Sequence, residues 1–137
     1  DTGADLNTIT RDIFETNSFR RLKIQSWIIE NAAFLAEGKL ALVAIPLEVE
    51  RQIGVTEDDM DNISGYLRTI EGVKMAATLR QQADGAVKAS VRALPGWDAA
   101  QVCAKFGGGG HKGAAGATVN MTMEEAKEAF ANAMLEM

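Results

Sequence analysis

The sequence reads as an α/β (α+β) single domain, a mixed β-sheet of about four to five strands with helices packed on it. Three observations predict this. Apolar residues recur at helical spacing towards both ends of the chain. Between Val73 and Leu94 the apolar period shortens to two. Capping and turn residues stand at the points where the period changes, so helices and strands interleave along one chain.

Leu6, Ile9 and Ile13 follow helical spacing after Asp5, a residue suited to an N-cap. Ser18 caps a second predicted helix, with Phe19, Leu22 and Trp27 lining its inner side. Lys39–Ile45 reads as a short buried strand. Pro46 and Gly54 bracket a short helix, Pro at its start and Gly just past its end. Thr56 and Asp59 form a capping-box pattern for a further helix that presents Met60, Ile63, Leu67 and Ile70 inward.

From Val73 the pattern alternates. Val73, Met75, Ala77 and Leu79 interleave with Lys74, Thr78 and Arg80, and Val87, Ala89 and Val91 interleave with Lys88, Ser90 and Arg92. This is a hairpin about Asp84-Gly85. A two-residue turn would set Leu79 opposite Ser90 and mix the two faces. A three-residue loop, Ala83–Gly85 with Gly85 left-handed, sets Arg80 opposite Lys88 and Thr78 opposite Ser90. The second register gathers Arg80, Lys88, Ser90 and Arg92 on one side of the sheet. Asp98 then caps a short helix holding Val102 and Phe106, which ends at a glycine run. Ala117–Val119 reads as a last strand. Thr122 and Glu125 make a capping box for the closing helix, whose core positions are Ala126, Phe130, Ala133 and Met137.

Composition narrows the function. With 47% hydrophobic and 24% charged residues the chain is typical of globular domains. Leu40–Ile45, its longest kind of apolar run, is far too short for a membrane span, and no secretory signal pattern is evident. The chain starts at Asp1 without methionine, so a piece of a longer protein is expected. The single cysteine, Cys103, permits neither an intramolecular disulfide nor a cysteine-rich zinc site, which suggests a reduced, cytoplasmic setting. A net charge of −5 disfavours a broad surface for long nucleic acid. An anionic ligand must then be held by a few locally concentrated positive groups, which favours a small one.

The candidate chemistry lies in Gly107–Gly110 followed by His111, Lys112, Gly113, Ala114, Ala115 and Gly116. Four consecutive glycines carry a conformational cost, and close backbone approach to a phosphate or nucleobase is one reason to accept it. A helix start at Lys112–Ala115 would add the positive end of its dipole. A flexible hinge bearing a surface histidine is the competing reading. The run lacks the Gly-Lys-Ser/Thr of a phosphate-binding P-loop, and it follows a helix where a dinucleotide fingerprint follows a strand.

Elsewhere the plainer readings are preferred. Glu57, Asp58, Asp59 and Asp61 suit a helix N-terminus without any metal. Cys103 reads as a buried thiol. Trp27 reads as core and Trp97 as an open-loop stacking candidate. Arg20, Arg21 and Lys23 read as a solvated helix face.

The segment from Phe106 through the four glycines, His111 and on to Gly116 closely resembles the signature of the DHH-associated C-terminal domain. Ile70–Val73, Leu79-Arg80, Val87–Arg92 and the opening Gly3-Ala4-Asp5 with Ile9 extend the resemblance over most of the chain. Such domains accompany DHH catalytic domains in RecJ-like exonucleases and in nanoRNase/pAp phosphatases. The resemblance implies a linker helix over residues 1–17 and a substrate-binding domain over 18–137. It implies a partner catalytic domain, N-terminal in the same polypeptide, carrying two divalent metals, usually manganese. By position, the substrate-binding groups would be Arg92, Gly108, Gly109, Gly110, His111 and Lys112, with Arg80 and Ser90 beside them. The ligand would be a short oligonucleotide or 3′-phosphoadenosine phosphate, and a dimer is left open.

The departures are specific. One histidine and no Asp-His-His means that the metal-binding half of such an enzyme is missing here, so this chain alone is expected to be inactive. The alternative is a non-catalytic module binding tRNA or single strands, like the related domain that ends alanyl-tRNA synthetases.

Overall fold

A computed structural model describes residues 18–137. The predicted linker helix over residues 1–17, with Leu6, Ile9 and Ile13, lies outside the described residues. The described elements run α1 (Phe19–Asn31), β1 (Ala33–Leu35), β2 (Leu40–Ile45), α2 (Leu47–Ile53), α3 (Glu57–Met60), β3 (Met75–Gln81), β4 (Val87–Ala93), α4 (Ala99–Ala104), β5 (Gly109–Gly110), β6 (Ala114–Val119) and α5 (Met123–Leu135). The six strands form one sheet in the order β1-β2-β3-β4-β6-β5. Only β2 and β3 pair parallel; the other neighbours are antiparallel. The α/β class therefore stands, with one strand more than expected at the upper count.

The hairpin register is the one that kept both faces consistent. Thr78 lies opposite Ser90 and Arg80 opposite Lys88. Gly85 closes the loop at φ +90°, where a side chain would be strained, and Asp84 accepts a bond from the Ala86 amide at 2.9 Å.

One sheet face is fully covered. Met75, Ala77, Leu79, Val87, Ala89, Val91, Ala115, Ala117 and Val119 bury there beneath α4 and α5. The other face is covered over only half its width. Ala41, Val43, Ile45 and Ala76 pack under Ile24 and Ile28 of α1, Met60 of α3 and Ile63 and Leu67 of two short 3₁₀ turns. The half built from β6 and β5 has no such cover, β4 meets only the 3₁₀ turn at Ile63–Gly65, and the face there carries polar and small residues.

Several expectations need correction. The inner side of α1 is Ile24 and Ile28, while Phe19 and Leu22 are exposed. The Thr56–Asp59 capping box forms, but its helix ends at Met60, and Asn62 turns left-handed at φ +60°. Ile63 and Leu67 still bury, now from 3₁₀ turns at Ile63–Gly65 and Leu67–Thr69. In α5 the last core residue is Met134 and not Met137, which is 39% exposed. No helix starts at Lys112–Ala115. That stretch enters β6, three residues earlier than predicted, so no helix dipole assists the glycine run. Strands β1 and β5 were not anticipated; β5 is two glycines long and carries no apolar alternation to read. Among the described residues, no helix is long and apolar enough to cross a membrane.

Candidate functional site

The half-open face is organised in rows across the sheet. One row runs from Ala76 through Arg92 to Ala114, and Ala114 exchanges backbone bonds with His111 at 2.7 and 3.2 Å. The next runs Thr78, Ser90, Gly116, Gly109, and a third holds Arg80, Lys88 and Thr118. Residues directly opposite in a sheet share a face, so Ser90, Arg92, Gly116 and Gly109 belong to one surface. With strands about 4.8 Å apart, the Arg92 and His111 backbones stand about 10 Å from each other across Ala114. The structure thus brings Ser90, Arg92, Gly109 and the His111 position together around a floor of Ala114 and two glycines.

The glycines have unequal reasons to be glycine. A Cβ on Gly108 would collide with the Gly116 carbonyl oxygen and come within 2.6 Å of the Ala117 Cβ. One on Gly110, which has φ +149°, would lie 2.6 Å from the Ala114 carbonyl oxygen. Gly107 sits at φ +78°. These three are required by the run packing against β6 and by its turns. Gly109 meets nothing within 4 Å and has no left-handed φ. It is exposed, and the fold itself gives no reason for its missing side chain. The hinge reading fits poorly, because both ends of the run are held. Gly107 and Gly108 donate to the carbonyls of Ala104 and Cys103, and Phe106 stacks on Phe130 of α5 with ring centres 4.0 Å apart.

The arginines differ sharply. Arg80 is committed within the protein: its guanidinium donates to both Glu50 oxygens at 2.8 and 3.0 Å and to Glu57 at 3.0 Å. These carboxylates, Glu50 first, hold its charge more firmly still, and Arg80 in turn keeps Glu57 below the usual carboxylate range. Arg80 lies on the face that was predicted, but its donors are taken by these two carboxylates. Arg92 makes one weak bond of 3.3 Å to the neighbouring Val91 carbonyl, and among the described residues no carboxylate pairs with it. His111 and Lys112 are exposed at the tip of the β5–β6 connection.

Sequence reasoning overlooked a neighbouring cleft. Arg21, Asn62, Gly65, Tyr66, Arg68, Thr69 and Arg92 line a space of about 390 Å³. Arg68 escaped notice because an unbroken helix would have turned it away from the sheet. Arg21 is not simply a solvated side chain: it donates to the Asp59 and Asp61 carbonyls, while Arg20 pairs with the Asp59 carboxylate at 2.8 Å. Asp59 also accepts from Ser18 at 2.5 Å and from the Thr56 amide at 2.8 Å. Together these bonds, that from Ser18 foremost, hold its carboxyl far below the ordinary range. Trp97 packs against the core under the covered face, so it offers less open ring than its loop suggested. Cys103 is buried, which pushes its thiol up to about 11.

The DHHA1 domain family model matches residues 38–137. The chain belongs to the DHHA1 domain family. It is 33% identical over 124 residues to the bifunctional oligoribonuclease and PAP phosphatase NrnA of Thermus thermophilus, covering 90% of this chain and 36% of that protein. The chain therefore spans about a third of that relative's length. Among solved structures, an exopolyphosphatase-related protein from Bacteroides fragilis superposes with a TM-score of 0.82 at 26% identity, over 98% of this chain and 39% of the other. The pGpG-specific phosphodiesterase PggH of Vibrio cholerae shares the fold, with a TM-score of 0.62 at 11% identity over 92% of this chain and 41% of the other. Among the described residues, no three His, Cys, Asp or Glu side chains converge as ligands.

Proposed function

We propose that this DHHA1 domain holds the substrate of a metal-dependent phosphoesterase that cleaves short oligonucleotides or 3′-phosphoadenosine phosphate. The observation that carries this is Gly109. It is an exposed glycine with neither strain nor a protein neighbour to explain it, in one row with Gly116 and Ser90 and beside Arg92. A side-chain-free floor admits a flat base or a phosphate at backbone distance. Arg92 supplies a planar fork suited to phosphate, and His111 and Lys112 add donors from the exposed tip. Gly108 and Gly110 shape the floor from behind.

Hydrolysis then belongs to a DHH catalytic domain with two divalent metals, N-terminal in the same polypeptide. The described residues offer no donor set for these metals, and the chain alone is inactive in this reading. The relatives support the substrate class, since one acts on oligoribonucleotides and PAP by its name.

Titrating the chain with a dinucleotide, adenosine 3′,5′-bisphosphate and a tRNA, while following the amide signals of Gly107–Gly116, tests the proposal. Shifts with the two small ligands are expected, largest at Gly109 and His111. Shifts with tRNA alone would replace this reading with an RNA-binding one.

A further inference from the structure

We infer that the cleft beside Arg92 is a second phosphate subsite, with Arg68 its specificity-determining residue, so that the domain prefers substrates bearing a phosphate beyond the one on the glycine floor. This rests on the substrate-binding reading above and deepens it. Three guanidiniums, from Arg21, Arg68 and Arg92, line one space of about 390 Å³ together with the polar side chains of Asn62, Tyr66 and Thr69. No carboxylate lines it. Like charges gathered in this way repel one another, which a bound anion would relieve. Arg20 and Arg80 are each met by an acid at 2.8 Å. Arg68 has no ion pair or side-chain hydrogen bond among the described residues, so the fold draws nothing visible from its charge.

The backbone makes the cleft. Asn62 in the left-handed region ends α3, and the two 3₁₀ turns then bring Tyr66 and Arg68 to the end of β4 where Arg92 stands. Ile63 and Leu67 are buried beneath, which fixes the turns that carry Arg68. Arg21 is held in place by the Asp59 and Asp61 carbonyls, so its bonds to the protein leave its charge uncancelled. Arg92 belongs to both places. It lies in the row that leads to His111 and also lines the cleft, so one substrate can touch the floor and the cleft together. The space has ample room for a phosphate group, for which guanidinium forks are the matched donors.

The test compares binding of 5′-phosphorylated and unphosphorylated diadenylate to the full 137-residue chain and to its Arg68→Gln and Arg68→Lys variants, with His111→Ala as reference. The wild type should bind the phosphorylated dinucleotide at least about ten-fold more tightly, the size of one charge-assisted contact. Arg68→Gln should abolish that preference while leaving the unphosphorylated affinity unchanged, and Arg68→Lys should retain part of it. His111→Ala should weaken both ligands alike. Inorganic phosphate alone should shift the Nε signals of Arg68 and Arg92. If Arg68→Gln weakens both ligands equally, or neither, the subsite is overturned while the glycine-floor reading stands. If the wild type binds neither dinucleotide, yet phosphate shifts both arginines, the floor reading fails and the anion site survives. No response to any of these probes overturns both.

Discussion

Arg80 and Arg92 stand on neighbouring strands of the same sheet face, two rows apart, and the protein treats them in opposite ways. At one end of the face Glu50 and Glu57 close around Arg80. At the other, Arg92 shares a cleft with two more arginines and no acid. The difference separates two uses of one side chain. A guanidinium pinned by carboxylates fastens α2 and α3 to the sheet, whereas one left with open donors has its binding capacity still to offer.

Breaking each arginine in turn should give the largest contrast. Arg80→Met leaves Glu50, only 8% exposed, as an unpaired buried charge, and should lower unfolding free energy by about 3–5 kcal/mol in a urea titration. Arg92→Met removes no described ion pair and should stay within about 1 kcal/mol of wild type, while weakening nucleotide binding at least about ten-fold.

The glycines sharpen the same contrast within four residues. Gly108→Ala forces a methyl into the Gly116 carbonyl, and should destabilise the domain by about 2–3 kcal/mol through strain of the overpacked kind. Gly109→Ala has room, and should change stability by less than about 1 kcal/mol. Its loss should appear in ligand affinity.

A pH experiment addresses the joint between α1 and α3. Asp59 has a folded pKa depressed below its unfolded value near 3.9. Its stabilisation is therefore fully present above that value and drains away as pH falls below about 4 towards the folded pKa. Wild-type stability should drop between pH 5 and pH 2.5, and Asp59→Asn should flatten that part of the profile. The smallest effect concerns Thr78, whose buried hydroxyl has no partner. Thr78→Val should raise stability by about 1 kcal/mol in denaturant titrations.

Much of this was legible in the chain. The hairpin register was readable because a one-residue slip would have put Leu79 on the polar face, a penalty that pattern alone reveals. Caps at Ser18, Thr56, Asp98 and Thr122 were readable because their bonds reach only three residues. The glycine run was readable as unusual, though not as a strand, since β5 has no side chains to alternate. What stayed hidden depends on distant partners. Nothing local tells Arg80 that Glu50 lies thirty residues back in the chain, or tells Arg92 that Arg68 will arrive over it. The break after Met60 hid for a similar reason: Ile63 and Leu67 keep helical spacing while burying from 3₁₀ turns.

Phe106 stacks on Phe130 of α5. It anchors the glycine run to the opposite side of the sheet, on a helix that never meets the open face. Four residues without side chains would ordinarily sample many shapes, and a ligand would have to freeze them. Here that freezing is finished when the domain folds, by an aromatic clamp at one end and β6 along the other. Capture of a ligand on this floor should therefore be nearly rigid, with little loop closure in its kinetics, and loosening Phe130 should slow recognition from a site no ligand touches.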